Sequence, residues 1–161
     1  MDRSPQQRKR KREEKGVQVK VQVQKISENA KIPEMAHEGD SGFDLYASET
    51  LAIEPGERKL VATGIKIAIP KGFEAQVRPK SGLAIKSGLS VLNTPGTIDS
   101  GYRGEIKVIL VNLAKEPYQV ETGKKIAQLV FQKVECPELT EVQELNETKR
   151  NEGGFGSTGL K

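Results

Sequence analysis

The sequence predicts an all-β protein, a jelly-roll-like antiparallel β barrel or sandwich, and three observations carry that expectation. Apolar residues alternate with polar ones at a period of two in several runs, turn-forming residues separate those runs at short intervals, and little repeats at the helical period. A chain of 161 residues is one domain by length and long enough to bury a core. With 4% aromatic residues and no Trp, that core must be filled by Val, Ile and Leu, which favour strands.

In chain order, Val17, Val19, Val21 and Val23 alternate with Gln18, Lys20, Gln22 and Gln24, placing four valines on one face of a half-buried strand. Leu60 to Ile69 reads the same way, interrupted at Gly64 and stopped by Pro70. Phe73, Ala75 and Val77 alternate again. Ile106 to Val111 is largely apolar and β-branched, as in a strand covered on both faces, and Ile126 to Phe131 is another apolar run. Turn signals lie between them at Glu54-Pro55-Gly56-Glu57, Ile69-Pro70-Lys71-Gly72, Thr94-Pro95-Gly96 and Glu121-Thr122-Gly123. Gly82 to Lys86 suits one or two helical turns. Pro137 to Arg150 fits either a helix, through Leu139, Val142 and Leu145, or an edge strand. From Arg150 to Gly159 the glycine content is too high for a packed element, so this stretch is expected to move until something orders it.

Charge and residue counts narrow the chemistry. Seven of the 26 basic and three of the 22 acidic residues fall within residues 1–15, so the net charge of +4 belongs to that segment alone. It reads as a solvated extension, with nuclear import or weak polyanion contact as alternatives, and the neutral body gives no electrostatic case for binding DNA. His37 and Cys136 are the only residues of their kinds, too few for a His/Cys zinc site or a nucleophile–histidine triad. No G-x-x-x-x-G-K-[ST] loop is present. The absence of a signal-peptide pattern or a long apolar run leads us to expect a soluble, intracellular protein.

Five segments are more polar or Gly-rich than their surroundings. Asp40-Ser41-Gly42-Phe43-Asp44 is a turn entering a strand, with Asp44 either facing solvent or holding a hydrated Mg²⁺ through water. Arg78-Pro79-Lys80-Ser81-Gly82 is either a plain helix start or a phosphate cradle of amides, hydroxyl and cations. Asn93 to Gly104 reads as a hairpin loop presenting Asp99 beside Tyr102. A carboxylate so placed suits accepting a proton from water attacking phosphorus, and the Asn93 amide suits a base edge. Gln128, in an otherwise apolar strand, needs partners and is either a core hydrogen bonder or a ligand group. The glycine-rich end carries Phe155, Ser157 and Thr158 with Arg150 upstream, a set suited to closing over a ligand.

Taken together and in this order, the five segments resemble the motifs of the trimeric dUTPase family, from about Val17 to Gly159. The resemblance implies a jelly-roll-like homotrimer that hydrolyses dUTP to dUMP and pyrophosphate, keeping uracil out of DNA and supplying dUMP for thymidylate synthesis. Its active sites would each draw on three chains. It implies that Asp44 holds Mg²⁺ through water, that Lys80, Ser81 and Gly82 contact phosphates, and that Asn93 with Gly96, Thr97 and Ile98 reads uracil. Asp99 would orient the attacking water, Tyr102 would pack on the deoxyribose, Lys107 would lie near the same site, and Gln128 would act on phosphate. Arg150, Ser157 and Thr158 would bind the terminal phosphate with Phe155 over the base, and Gly156 would also contact the substrate. The implied organisation is a basic tail over 1–16, a core over 17–146 and a mobile arm over 147–161. No nucleic acid or membrane partner is expected, and the location is taken as cytoplasmic, or nuclear if the tail is an import signal.

Two positions depart from the usual pattern: Lys80 stands where Arg is common and Asn151 where Gly is common. The rivals are a same-fold dCTP deaminase, whose catalytic Glu position is here Ile109, and a non-catalytic nucleotide-binding regulatory module.

Overall fold

The computed structural model describes residues 19–154 and residue 157. Among the described residues there are eleven strands and one short helix: β1 (Gln22–Lys25), β2 (Phe43–Tyr46), β3 (Leu51–Ile53), β4 (Arg58–Ala62), β5 (Ile65–Ala68), β6 (Phe73–Arg78), α1 (Ser81–Ser87), β7 (Leu89–Val91), β8 (Gly96–Ile98), β9 (Lys107–Asn112), β10 (Tyr118–Val120) and β11 (Lys125–Lys133). All pairing between strands is antiparallel. The strands form four small sheets, ordered β1-β5, β10-β3, β2-β11-β6-β8 and β4-β9-β7. The expected jelly-roll-like sandwich is present, and the sheets do not join into a closed barrel.

One core lies between the sheets. Leu45, Ile53, Val61, Ile65, Leu110 and Leu129 are almost wholly buried, each contributing about 1.5–3 kcal/mol relative to exposure. The period-two readings explain how: Ala75 and Val77 turn inward on β6 while Glu74, Gln76 and Arg78 turn outward. The run from Leu60 to Ile69 divides at Gly64 into β4 and β5. Gly64 sits at φ 69°, and a Cβ there would meet those of Ser27 and Ala30 at 2.8 and 2.9 Å. No other residue fits that corner.

Three expectations change. The valine strand pairs only from Gln22 to Lys25, with Val21 and Val23 against the core and Val19 exposed, while Val17 lies outside the described residues. β9 is covered on both faces only toward its end: Leu110, Val111 and Asn112 are all buried, whereas earlier Lys107 is exposed and Ile109 half-buried beside buried Ile106 and Val108. Residues 137–150 form neither helix nor strand, and Leu139 and Leu145 are 90% and 86% exposed. An apolar stripe orders a segment only against a surface that buries it, and this chain does not bring one to these residues.

Candidate active site

The four-stranded sheet places the polar side chains of the first, second and fourth segments together. Gln128 on β11 opposes Asp44 on β2 and Arg78 on β6, so all three share a row and a face. A hollow of about 290 Å³ opens here, lined by Ser41, Gly42, Asp44, Lys80, Lys125 and Gln128 among others. Asp44 is 5% exposed, yet both its carboxylate oxygens are engaged: Oδ1 by the Lys80 ammonium and Oδ2 by that of Lys125 at 2.6 Å. Burial raises the Asp44 carboxyl, but the bonds and charges of Lys125 and Lys80 outweigh it and hold it below the usual value. Asp44 in turn holds the Lys125 ammonium above its usual value.

Gln128 donates from Nε2 to the Pro79 carbonyl at 2.9 Å, which ties β11 to the start of α1. Gly42 permits this: a Cβ there would meet Gln128 Oε1 at 2.5 Å. No side chain caps α1, which has Lys80 at its N-cap, and Gly82 has open space above it. Gln128 thus makes a structural hydrogen bond and also lines the hollow.

The third segment builds a second hollow of about 520 Å³, lined by Asn93, Thr97, Ile98, Asp99, Tyr102 and Lys107, with Leu60, Glu105, Ile106 and Ile109. Gly96 lies flush under the Asn93 amide, which a Cβ would meet at 3.2 Å. Asp99 follows β8, and its carbonyl accepts the Tyr102 amide at 3.1 Å. Arg103 Nη1 donates to the carbonyls of Ser100 and Tyr102 at 2.7 and 2.8 Å, bracing the turn. Tyr102 is 46% exposed and donates its hydroxyl to the Glu105 carbonyl at 3.1 Å, folding the ring across Gly104. A Cβ on Gly104 would lie 2.2 to 2.9 Å from that ring and its hydroxyl, whereas one on Gly101 would meet nothing within 4 Å.

The two hollows share none of these residues. Gln128 opposes Arg78 and Ile98 opposes Ala75, so Asp99 lies three strands over and about four residues along from Asp44. At about 4.8 Å between strands and 3.3 Å per residue, the separation is roughly 20 Å.

Within the described residues of the arm the side-chain bonds are local. Thr148 and Asn151 exchange bonds, amide to Asn151 Oδ1 at 2.7 Å and amide to Thr148 Oγ1 at 3.0 Å, with Asn151 at φ 38°. The residue that departs from the family pattern thus adopts the backbone a Gly would and adds a local clamp. Arg150 Nε donates to the Gly153 carbonyl at 2.8 Å, and the Ser157 amide to the Gly154 carbonyl at 2.9 Å. Phe155, Gly156 and Thr158 lie outside the described residues, as does the basic segment.

Sequence reading missed Lys125 and Glu105. The bulge between Lys125 and Ala127 swings the Lys125 ammonium onto Asp44, and no residue type announces a bulge. Ile109 half-lines the second hollow, where an apolar side chain has no proton to offer.

Comparison with known proteins converges on one family. The dUTPase family model matches residues 28–159. The chain is 57% identical over 142 residues, 88% of its length and all of the relative's, to the deoxyuridine 5′-triphosphate nucleotidohydrolase of Clostridium novyi. It is 52% identical over 144 residues to that of Hydrogenobaculum sp., covering 89% of this chain and all of the relative. Among solved structures, it resembles a Staphylococcus bacteriophage 80alpha dUTPase variant with dUpNHpp (TM-score 0.82, 30% identity, 88% of this chain and 99% of that one). A variant of the dUTPase of phage phi11 of S. aureus, solved with a structural Mg(II) ion, matches with TM-score 0.74 at 30% identity, over 80% of this chain and 99% of that one.

Proposed function

The chain belongs to the dUTPase family, and we propose that it hydrolyses dUTP to dUMP and pyrophosphate by in-line attack of water on the α-phosphorus. The observation that carries the reading is Asp99, held on the wall of a hollow that Asn93 and Tyr102 also line.

Asp99 orients the attacking water and takes its proton, acting as a general base. Asn93 and the backbone of Gly96, Thr97 and Ile98 read the uracil edge. The Tyr102 ring covers the deoxyribose and leaves no room for a 2′-hydroxyl, and Lys107 stands at the rim. Lys80, Ser81, Gly82 and Gln128 take the phosphates in the smaller hollow, together with Lys125. Arg150, Ser157 and Thr158 hold the terminal phosphate, with Gly156 beside them and Phe155 over the base, when the arm over residues 147–161 closes on the core of 17–146.

The residues fit Mg²⁺ carried on the triphosphate. Among the described residues no cluster of three acidic, His or Cys side chains could cage an ion, and both Asp44 oxygens already accept ammonium hydrogens. Asp44 therefore suits an ion that keeps its water shell and is held mainly by substrate phosphates. When bound, Mg²⁺ neutralises the triphosphate and eases departure of pyrophosphate.

The same geometry supports a homotrimer with shared sites. Asp99 and Asp44 must serve one triphosphate, and a separation of roughly 20 Å within a chain prevents that. A neighbouring copy supplies the Asp99 hollow to each phosphate hollow, and another lends the arm. No partner nucleic acid is required. No helix of the described residues is long and apolar enough to cross a membrane. The proposed location is the cytoplasm, or the nucleus if the basic segment is an import signal.

Pyrophosphate release from dUTP, compared with dCTP, UTP and dTTP and with and without Mg²⁺, tests the reading. Turnover of dUTP alone supports it. Release of ammonia from dCTP would favour the deaminase, and binding without turnover a regulatory module.

A further inference from the structure

Glu105 lines the nucleoside hollow and links it to the chain corner at Gly64. Its side chain is only 19% exposed and its carboxylate is used on both sides. Oε1 accepts the Gly64 amide at 2.9 Å, at the corner between β4 and β5 that only glycine can make. Oε2 faces the Lys107 ammonium at 3.4 Å. Its backbone carbonyl accepts the Tyr102 hydroxyl. The neighbouring backbone is pinned as well, because the Ile106 amide donates to the Ile65 carbonyl at 2.9 Å. The carboxylate therefore stands on a rigid base, whereas Lys107 is 42% exposed and carries a long flexible side chain.

We propose that Glu105 is a positioning residue: anchored through the Gly64 amide, its carboxylate holds the Lys107 ammonium at the rim of the nucleoside hollow. The inference rests on the proposed function and deepens it. A lysine alone at that rim samples many rotamers and offers its charge over a wide volume. Tethering confines it to the mouth of the hollow, where a nucleotide anion enters, and gives a carboxylate beside that anion a compensating cation. Because Glu105 acts through Lys107, its loss affects binding before chemistry.

The test is steady-state dUTP hydrolysis by the full-length enzyme at saturating Mg²⁺, in E105Q, K107M and the double variant. Glutamine keeps an oxygen for the Gly64 amide and removes only the charge. E105Q is expected to raise KM about three- to fivefold, with a smaller change in kcat, as for a partly exposed ion pair. In the K107M background E105Q should add nothing, since there is no ammonium left to place. E105A, which strips the Gly64 amide of its acceptor, is expected to lower Tm where E105Q does not. An equal KM change in both backgrounds, an unchanged KM in E105Q, or a Tm loss in E105Q matching that of E105A would each overturn the proposal. Wild-type turnover of dUTP is the separate check on the function. Were it absent, the same cycle read by dUMP binding would still decide the role of Glu105.

Discussion

Replacing Gly104 by Ala places a methyl group where the Tyr102 ring now lies. The new carbon would stand 2.2 Å from the tyrosine oxygen, 2.4 Å from Cζ and 2.9 Å from Cε2, all inside van der Waals contact. The ring is rigid, so it cannot yield by a small bend; it must rotate out as a whole. Tyr102 is already half exposed, and its hydroxyl makes one bond, to the Glu105 carbonyl. The folding cost is therefore that one bond, about 0.5–1.5 kcal/mol. For a chain of this size that is a fall in Tm of about 2–4 °C per kcal/mol. The functional cost is larger, because the aromatic wall leaves the hollow. We expect kcat/KM for dUTP to fall at least about tenfold, equivalent to about 1.4 kcal/mol, and the preference over UTP to shrink with it. Gly101→Ala in the same loop is the control: a Cβ there meets nothing within 4 Å, and stability should change by no more than about 0.5 kcal/mol. Thermal melts with paired dUTP and UTP kinetics measure all of this. A Gly104→Ala enzyme that keeps wild-type discrimination would show that the Tyr102 ring does not form the sugar wall.

Other expectations can be checked alongside. Asp99→Asn should bind dUTP in calorimetry about as well as wild type while turnover drops by at least about a hundredfold, the scale of a lost general base; near-normal turnover would remove Asp99 from that role. Deleting Gly153 onward should lower hydrolysis on the order of a hundredfold by loss of closure, while light scattering still reports a trimer; a monomeric product would make the arm a structural element. The Asp44 carboxyl is held below its ordinary value of 3.8 by Lys125 and Lys80, against the opposing effect of burial. Its contribution to stability is therefore complete above about pH 3.8 and is lost as the pH falls through the lower folded value. Wild type should accordingly be more stable than Asp44→Asn above that pH, with the two converging as the pH falls below it, and a difference that instead dissolved between pH 6 and 8 would contradict the ion-pair geometry.

The strands that could be read from sequence were those whose faces differ. Phe73, Ala75 and Val77 alternate with Glu74, Gln76 and Arg78, and the structure keeps that division on β6. The short strands β3, β7, β8 and β10, of three residues each, carry too few positions for a period to register. Pro137 to Arg150 offered a helical stripe that the isolated chain leaves exposed, because a stripe states what wants burial and not what will cover it. At the site, Asp99, Asn93 and Tyr102 were legible as a loop unit close in sequence, and all three line one hollow. Lys125 and Glu105 were not legible, since an ion pair between strands distant in sequence and a hydrogen bond to a distant turn leave no mark in local spacing.

Periodicity and residue type act over a few neighbouring positions, and they sufficed for the fold class, the turns that punctuate it and the marking of five segments as more polar or Gly-rich than their surroundings. It took the packed chain to show that Asp44 is clamped between Lys80 and Lys125, that Gln128 reaches the Pro79 carbonyl over Gly42, and that the two hollows lie apart on one chain. Those outcomes depend on strand register and on one bulge. Both are fixed by packing the whole core at once, so that partners 36 or 49 residues apart in the chain meet only when every strand between them has taken its place.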